Sequence, residues 1–335
     1  MEILKMKLLS KLRLGAVVCL LGFGTVSSMA VDEFNKFVLH FVDSVEASKL
    51  LSTPDKNTNN WGKFDIEARM GRSGATRAEI MDMLKGCTRN FTQADKDSLF
   101  KAFTIFDDSL TAKGLSLPLP QEFTLVKTTM EEEGNAGAYT RGDIICVSED
   151  VMKKVTADRL AWLVAHETFH VLTRDNPDFR RKMYSLIGFT VLDKEIEFSK
   201  DVTDRRISNP DVNRYDSYAM LTVDGVKSPY TMVIYSDRDY AGGSFFDYMK
   251  IGLIPLDGNF EPVKRDGKTV IVPLERATDF YDLVGKNTDY VINPEECLAD
   301  NFATAICGTN KKLPTPELSM RIISAIRDEA KALGK

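Results

Sequence analysis

The sequence predicts an α+β fold, with helices gathered around a small mixed sheet and a β-rich insertion. Three observations carry that expectation. Apolar residues recur at helical spacing over 34–45, 99–110 and 156–174. From residue 215 the pattern turns to strand runs broken by two DG turns. Two more helices then begin at NPEE (293–296) and TPEL (315–318). With 335 residues, 43% hydrophobic and 28% charged, the chain can bury a real core.

Taken in order, residues 1–30 read as a secretory signal peptide. Lys5, Lys7, Lys11 and Arg13 precede the apolar run LGAVVCLLGFGTV, and Ser28 and Ala30 offer a small-residue cleavage site. A retained anchor is the alternative, although the run is short for a span. Cys19 does not sit in a lipid-attachment pattern. The remainder reads as one domain, 31–335, that is exported to the periplasm or secreted, with no integral membrane span. Without the leader, 40 basic residues face 48 acidic ones, a net charge of −8. That balance argues against nucleic acid as a partner, because phosphates call for clustered Lys and Arg. Cys87, Cys146, Cys297 and Cys307 permit two disulfides or four free thiols, and with no CxxC pair they do not suggest a cysteine zinc site.

Residues 31–120 read as helical. Phe34, Phe37, Val38, Phe41, Val42 and Val45 recur at helical spacing, with His40 among them as a packing residue. Thr76 with Glu79 and Thr92 with Asp95 mark helix starts, the second leading to a face of Leu99, Phe103, Phe106 and Leu110. GLSLPLP (114–120) is a loop. FTLVKTTM and AGAYTRGDIICVS read as strands, followed by a helix over 156–174 and a further helical stretch to about 198. YAMLTV, YTMVIYS and FEPVKRDGKTVIVPL supply the β-rich insertion at about 200–290.

The chemistry concentrates in LVAHETFHVL (163–172), which holds two of the chain's three histidines. Residues four apart share a helix face about 6 Å apart, so His166 and His170 can direct two ring nitrogens at one ion. Glu167, one position on, points beside that ion and suits a general base. Leu160, Ala161, Leu163, Val164, Phe169, Val171 and Leu172 make the helix apolar nearly all round, so it should be buried. Buried histidines and a buried glutamate need compensation, and a metal supplies it. The metzincin spacing fails, since Thr173 and Asn176 stand where Gly and His belong. Position 190, about twenty residues on, is Thr, and Glu195 and Glu197 are only loosely placed. In NPEECLADNFA, Glu296 and Asp300 lie four apart on a new helix. Glu296 is the candidate third ligand, with Asp300 bonding the far nitrogen of a ligand histidine. Alternatively, Asn293 and Glu296 form a capping box, and Glu295 or neither residue binds metal.

HETFH with ExxxD in EECLAD resembles the gluzincin clan of zinc peptidases, the thermolysin-like enzymes. ECLADNFA is also similar to the E-x-x-A-D pattern of the CAAX-processing and heat-shock zinc proteases, and NAGAYTRGDIICVSEDVM to their strand before the zinc helix. The likeness covers 135–152, 163–174 and 293–304. It implies a zincin-like fold, one Zn2+ per chain, and an edge strand at Ala136, Gly137, Ala138 and Tyr139 that pairs with a peptide or protein substrate. It also implies a donor for the oxyanion, for which Tyr215, Tyr218, Tyr230, Tyr235 and Arg321 are candidates. The expected function is an exported zinc metallopeptidase. Water on a zinc ion held by His166, His170 and Glu296 loses its proton to Glu167 and attacks a peptide carbonyl. The alternatives are a non-catalytic binding protein with a metal-stabilised zincin core, and a zinc hydrolase of a non-peptide amide.

Overall fold

A computed structural model describes residues 31–34, 37–212, 214–309 and 311–332; the expected leader over 1–30 lies outside them. Helices and strands are mixed, in keeping with an α+β fold. One sheet is built from Val31–Phe34 (β1), Phe37–Phe41 (β2), Thr88–Arg89 (β3), Glu122–Thr128 (β4), Ala138–Arg141 (β5) and Ile144–Ser148 (β6). Its order is β1-β2-β4-β6-β5, with β3 on β4. Strands β2, β4 and β6 are parallel, while β1 and β5 run antiparallel at the two edges.

Strands β1 and β2 correct the helical reading of residues 34–45, and with it the view of 31–120 as a wholly helical part. Phe37, Leu39 and Phe41 are buried while Val38 and His40 are half-buried, which is the period of two of a strand. Phe34, Phe37, Val38 and Phe41 fit either periodicity, and pairing with β4 decides between them. His40 turns away from the core, and its Nε2 meets Glu122 at 3.0 Å. Helix begins only at Ser44–Ser52, where the Asp43 carboxylate accepts two backbone N–H groups. Thr76 and Thr92 each close a capping box, and from Thr92 a helix runs over Gln93–Ala112. Its buried face is Leu99, Phe103, Phe106 and Leu110, as the spacing predicts. Phe103 meets Phe37 and Phe123 at centroid distances of 5.9 and 5.0 Å, fixing this helix on the sheet.

A second sheet is an antiparallel meander of Phe189–Val191 (β7), Ser217–Val223 (β8), Val226–Tyr235 (β9), Lys250–Pro255 (β10) and Val272–Pro273. Asp224 and Gly225 carry φ of 52° and 80°, the left-handed pair that a tight hairpin between β8 and β9 requires. The β-rich segment therefore starts at Phe189, earlier than expected. The helix read as reaching 198 covers Pro177–Leu186 and stops there, because Gly188 at φ 73° turns the chain into β7. Leu221, Val223, Met232 and Leu253 of this sheet join the same apolar cluster as Phe103 and Phe169.

The HETFH helix, Ala157–Asp175, packs against Gln93–Ala112, against Pro294–Cys307 and against β5. Phe169 meets Phe302 at 5.2 Å, and every residue from Val164 to Thr173 is buried. The four cysteines are free thiols. Burial pushes Cys87 and Cys297 up to about 12 and Cys146 higher still. Among the described residues no helix is long and apolar enough to cross a membrane.

Candidate metal centre

The Thr156 cap sets the start of the HETFH helix, and four residues of spacing then place His166 and His170 one above the other. Their ring centroids are 4.9 Å apart. Glu296 arrives from the facing Pro294–Cys307 helix. Its Oε2 lies 3.1 Å from His166 Nε2 and 3.6 Å from His170 Nε2. The capping alternative for Glu296 is not what the structure shows. Asn293 caps the helix by accepting the N–H of Glu295 at 2.8 Å, while the Glu296 carboxylate faces the histidines and accepts from the Asn209 amide.

Each imidazole has a carboxylate behind it. Asp300 Oδ1 stands 3.0 Å from Nδ1 of His166, and its other oxygen accepts from the Thr288 hydroxyl. Glu295 Oε1 accepts from Nδ1 of His170 at 3.3 Å and from Thr173 Oγ1, while Tyr184 Oη donates to Oε2 at 2.6 Å. Burial works against charge on both rings, yet neighbouring carboxylates win and raise both above the ordinary imidazole range. For His166 those groups are Asp300 and Glu296; for His170 they are chiefly Asp211, Glu295 and Glu296. For Glu295 and Glu296, burial alone would raise the carboxyl pKa, but bonds and charges from the same histidines hold both low.

These residues fit a metal ion on three counts. A tetrahedral zinc with bonds of about 2.0 Å sets its ligand atoms about 3.3 Å apart, and the observed 3.1 and 3.6 Å bracket that value. Among the described residues, Nε2 of fully buried His170 has no hydrogen-bond partner, an expensive orphan unless a cation takes its lone pair. Both Nδ1 atoms are occupied or closely approached by carboxylates, which turns both Nε2 atoms toward Glu296. One ligand atom from each of His166, His170 and Glu296 lies within 4.8 Å of the others. Glu295→Gln is expected to weaken metal retention by about 10–100-fold in a chelator competition, since it removes the charge behind His170. Unchanged affinity would reduce Glu295 to a packing residue.

Glu167 lies beside this cluster. Its Oε2 accepts from Thr140 Oγ1 at 2.7 Å, and burial raises its pKa against the opposing pull of the histidines and Thr140. Thr140 sits on β5, the sheet edge nearest the site. Of the four residues expected to pair with substrate, Ala138 and Tyr139 belong to β5, while Ala136 and Gly137 precede it. The Gly137 carbonyl accepts from Ser148 N, so Gly137 and Tyr139 face β6, and the pleat turns the backbone groups of Ala138 and Thr140 outward. The Tyr139 side chain is buried and donates to Glu132 at 3.1 Å. Ala136 and Ala138 line a small cleft with Ile207, Phe245, Phe246 and Tyr290.

The oxyanion candidates do not converge here. Tyr215 packs under Arg206, Tyr218 on Phe260 and Tyr235 near Arg205, Tyr230 lies in the second sheet, and Arg321 is exposed on the last helix. Glu195 pairs with Lys56 and Arg214, away from the histidines. The tyrosine that does approach is Tyr290, whose ring centroid is 6.4 Å from His166. Sequence reasoning missed Tyr290, Thr140, Asn209 and Asp211. The only local signal among them is the turn chemistry of Asn209-Pro210-Asp211. No family model, curated protein or solved structure matches the chain.

Proposed function

We propose that the chain is an exported, zinc-dependent metallopeptidase of gluzincin type, built on a zincin-like fold. The observation that carries this reading is the convergence of His166 Nε2, His170 Nε2 and Glu296 Oε2, with the Glu167 carboxylate alongside outside that ligand set. A structural metal site has no use for that base. When bound, the ion would supply Lewis acidity toward a carbonyl and toward water. Glu167, whose pKa burial raises above the ordinary carboxylate range, can take a proton from water and return it to a leaving amine. Thr140 holds that carboxylate in place. Asp300 and Glu295 keep the histidine rings oriented. Ala136 and Ala138 border the cleft where an extended peptide would lie, and the antiparallel edge position of β5 supports strand addition there.

The test is a peptide-library digest by the purified chain, run with and without a zinc chelator and read by mass spectrometry. Cleavage that the chelator abolishes and added zinc restores is the expected result. Stoichiometric zinc without any cleavage would favour a binding protein with a metal-stabilised core, and the proposal would fall.

A further inference from the structure

We infer that the cleft beside β5 is a specificity subsite, and that it takes a large apolar side chain from the peptide residue that pairs with Ala138. The inference rests on the peptidase reading above and names the class of peptide that the same site accepts. The edge strand fixes the register. Thr140 N donates to Asp211 Oδ1 at 2.6 Å and the Thr140 carbonyl accepts from Arg174 at 3.0 Å, so both of its outward groups are engaged. That leaves Ala138 as the residue of β5 whose outward N–H and C=O have no partner among the described residues. A peptide strand added there pairs opposite Ala138, two residues from the Thr140 hydroxyl that reaches Glu167.

Residues opposite each other in a strand pair send their side chains to the same face. Ala136 and Ala138 lie two apart on one face of the edge and carry only methyl groups, which leaves room beside them. The facing wall is apolar and already formed, built from Ile207, Met249, Ile292, Phe245 and Phe246. Phe245 rests on Gly134, where a Cβ would overlap its ring, and its centroid lies 4.4 Å from that of Phe246. Tyr248 pins the loop before them: its Oη accepts from Ala241 N at 3.0 Å and donates to the Gly242 carbonyl at 2.7 Å. Phe246 is 44% exposed, an aromatic ring at the rim that an incoming side chain can cover.

The polar groups that line the cleft are each bonded within the chain. Glu133 accepts from Arg69 at 2.7 Å, and Ser208 Oγ donates to Asp65 at 2.8 Å. The Asn209 amide bonds Glu296, while its Oδ1 accepts from Asp211 N at 3.0 Å. Asp211 in turn holds Thr140 N. A charged side chain entering this space loses its water and meets groups already committed to other partners. An apolar side chain gains by leaving water and disturbs none of those bonds.

The experiment maps the cleavage sites of a peptide library by mass spectrometry for the full-length wild type, Phe246→Leu and Phe246→Asp. For the wild type, one fixed position near the cleaved bond should favour Leu, Ile, Met and Phe over Asp, Glu, Lys and Arg by at least about tenfold. Phe246→Leu should keep that preference and Phe246→Asp should lose most of it. Binding supplies a readout without turnover. In the Glu167→Gln chain, a labelled copy of the best-cleaved peptide should bind at least about tenfold tighter than its twin with Asp at the favoured position. Chelator-sensitive cleavage with no apolar preference, a preference for Lys and Arg instead, equal effects of the two Phe246 variants, or equal binding of the twin peptides would each overturn the inference and leave the metal reading standing. A wild-type chain without chelator-sensitive cleavage would overturn both.

Discussion

Glu167→Gln is expected to keep its metal at full stoichiometry and to lose about 10²–10⁴-fold in peptide cleavage. The separation of the two effects follows from the geometry. The three proposed ligand atoms come from His166, His170 and Glu296, and glutamine at 167 disturbs none of them. It can still accept the Thr140 hydroxyl bond that positions the side chain. What it cannot do is take up a proton. His166→Ala should behave differently and lose metal and cleavage together. Elemental analysis beside a kcat/KM measurement checks both, and a Glu167→Gln chain that cleaves at the wild-type rate would remove Glu167 from the chemistry.

Arg69→Met is expected to cost about 3–5 kcal/mol of folding stability, measured by urea denaturation. Arg69 is buried between the rings of Trp61 and Phe245, at 5.2 and 5.7 Å. It donates to Asp65 at 2.6 Å, to Glu133 at 2.7 Å and to the carbonyl of Ser208 at 2.7 Å. Methionine fills much of the volume but leaves two carboxylates in the interior without their cation. Burial already raises Glu133 to about 7 despite the guanidinium beside it. The network matters to the site as well, because Asp65 accepts both the N–H and the hydroxyl of Ser208, the residue before Asn209. A loss below about 1 kcal/mol would mean that these carboxylates find other partners or protons at little cost.

Much of the candidate site was legible because it is written at helical spacing. His166 and His170, and likewise Glu296 and Asp300, are pairs four residues apart, and caps at Thr156 and Asn293 mark where their helices start. The two DG turns were equally plain, since Asp224 and Gly225, and Asp266 and Gly267, all take the positive φ their order suggests. Other features depend on what lies across the fold. Phe37 and Phe41 satisfy both helical and strand periods, so only β4 could decide the matter. Lys250–Pro255 carries too few alternating residues to stand out before β9 pairs with it. Glu295 looks like a first-turn acid until Tyr184 and His170 close around it. Asn209, Asp211 and Tyr290 sit outside regular helix or strand, where neighbours in space rather than in sequence set their role.

The sealed-in thiols have a practical use. Cys87, Cys146 and Cys297 present neither an accessible sulfur nor an appreciable thiolate at neutral pH. Alkylating reagents therefore reach these side chains only when the polypeptide opens. Timed labelling gives each variant above its own clock for unfolding, independent of any ion and of any turnover.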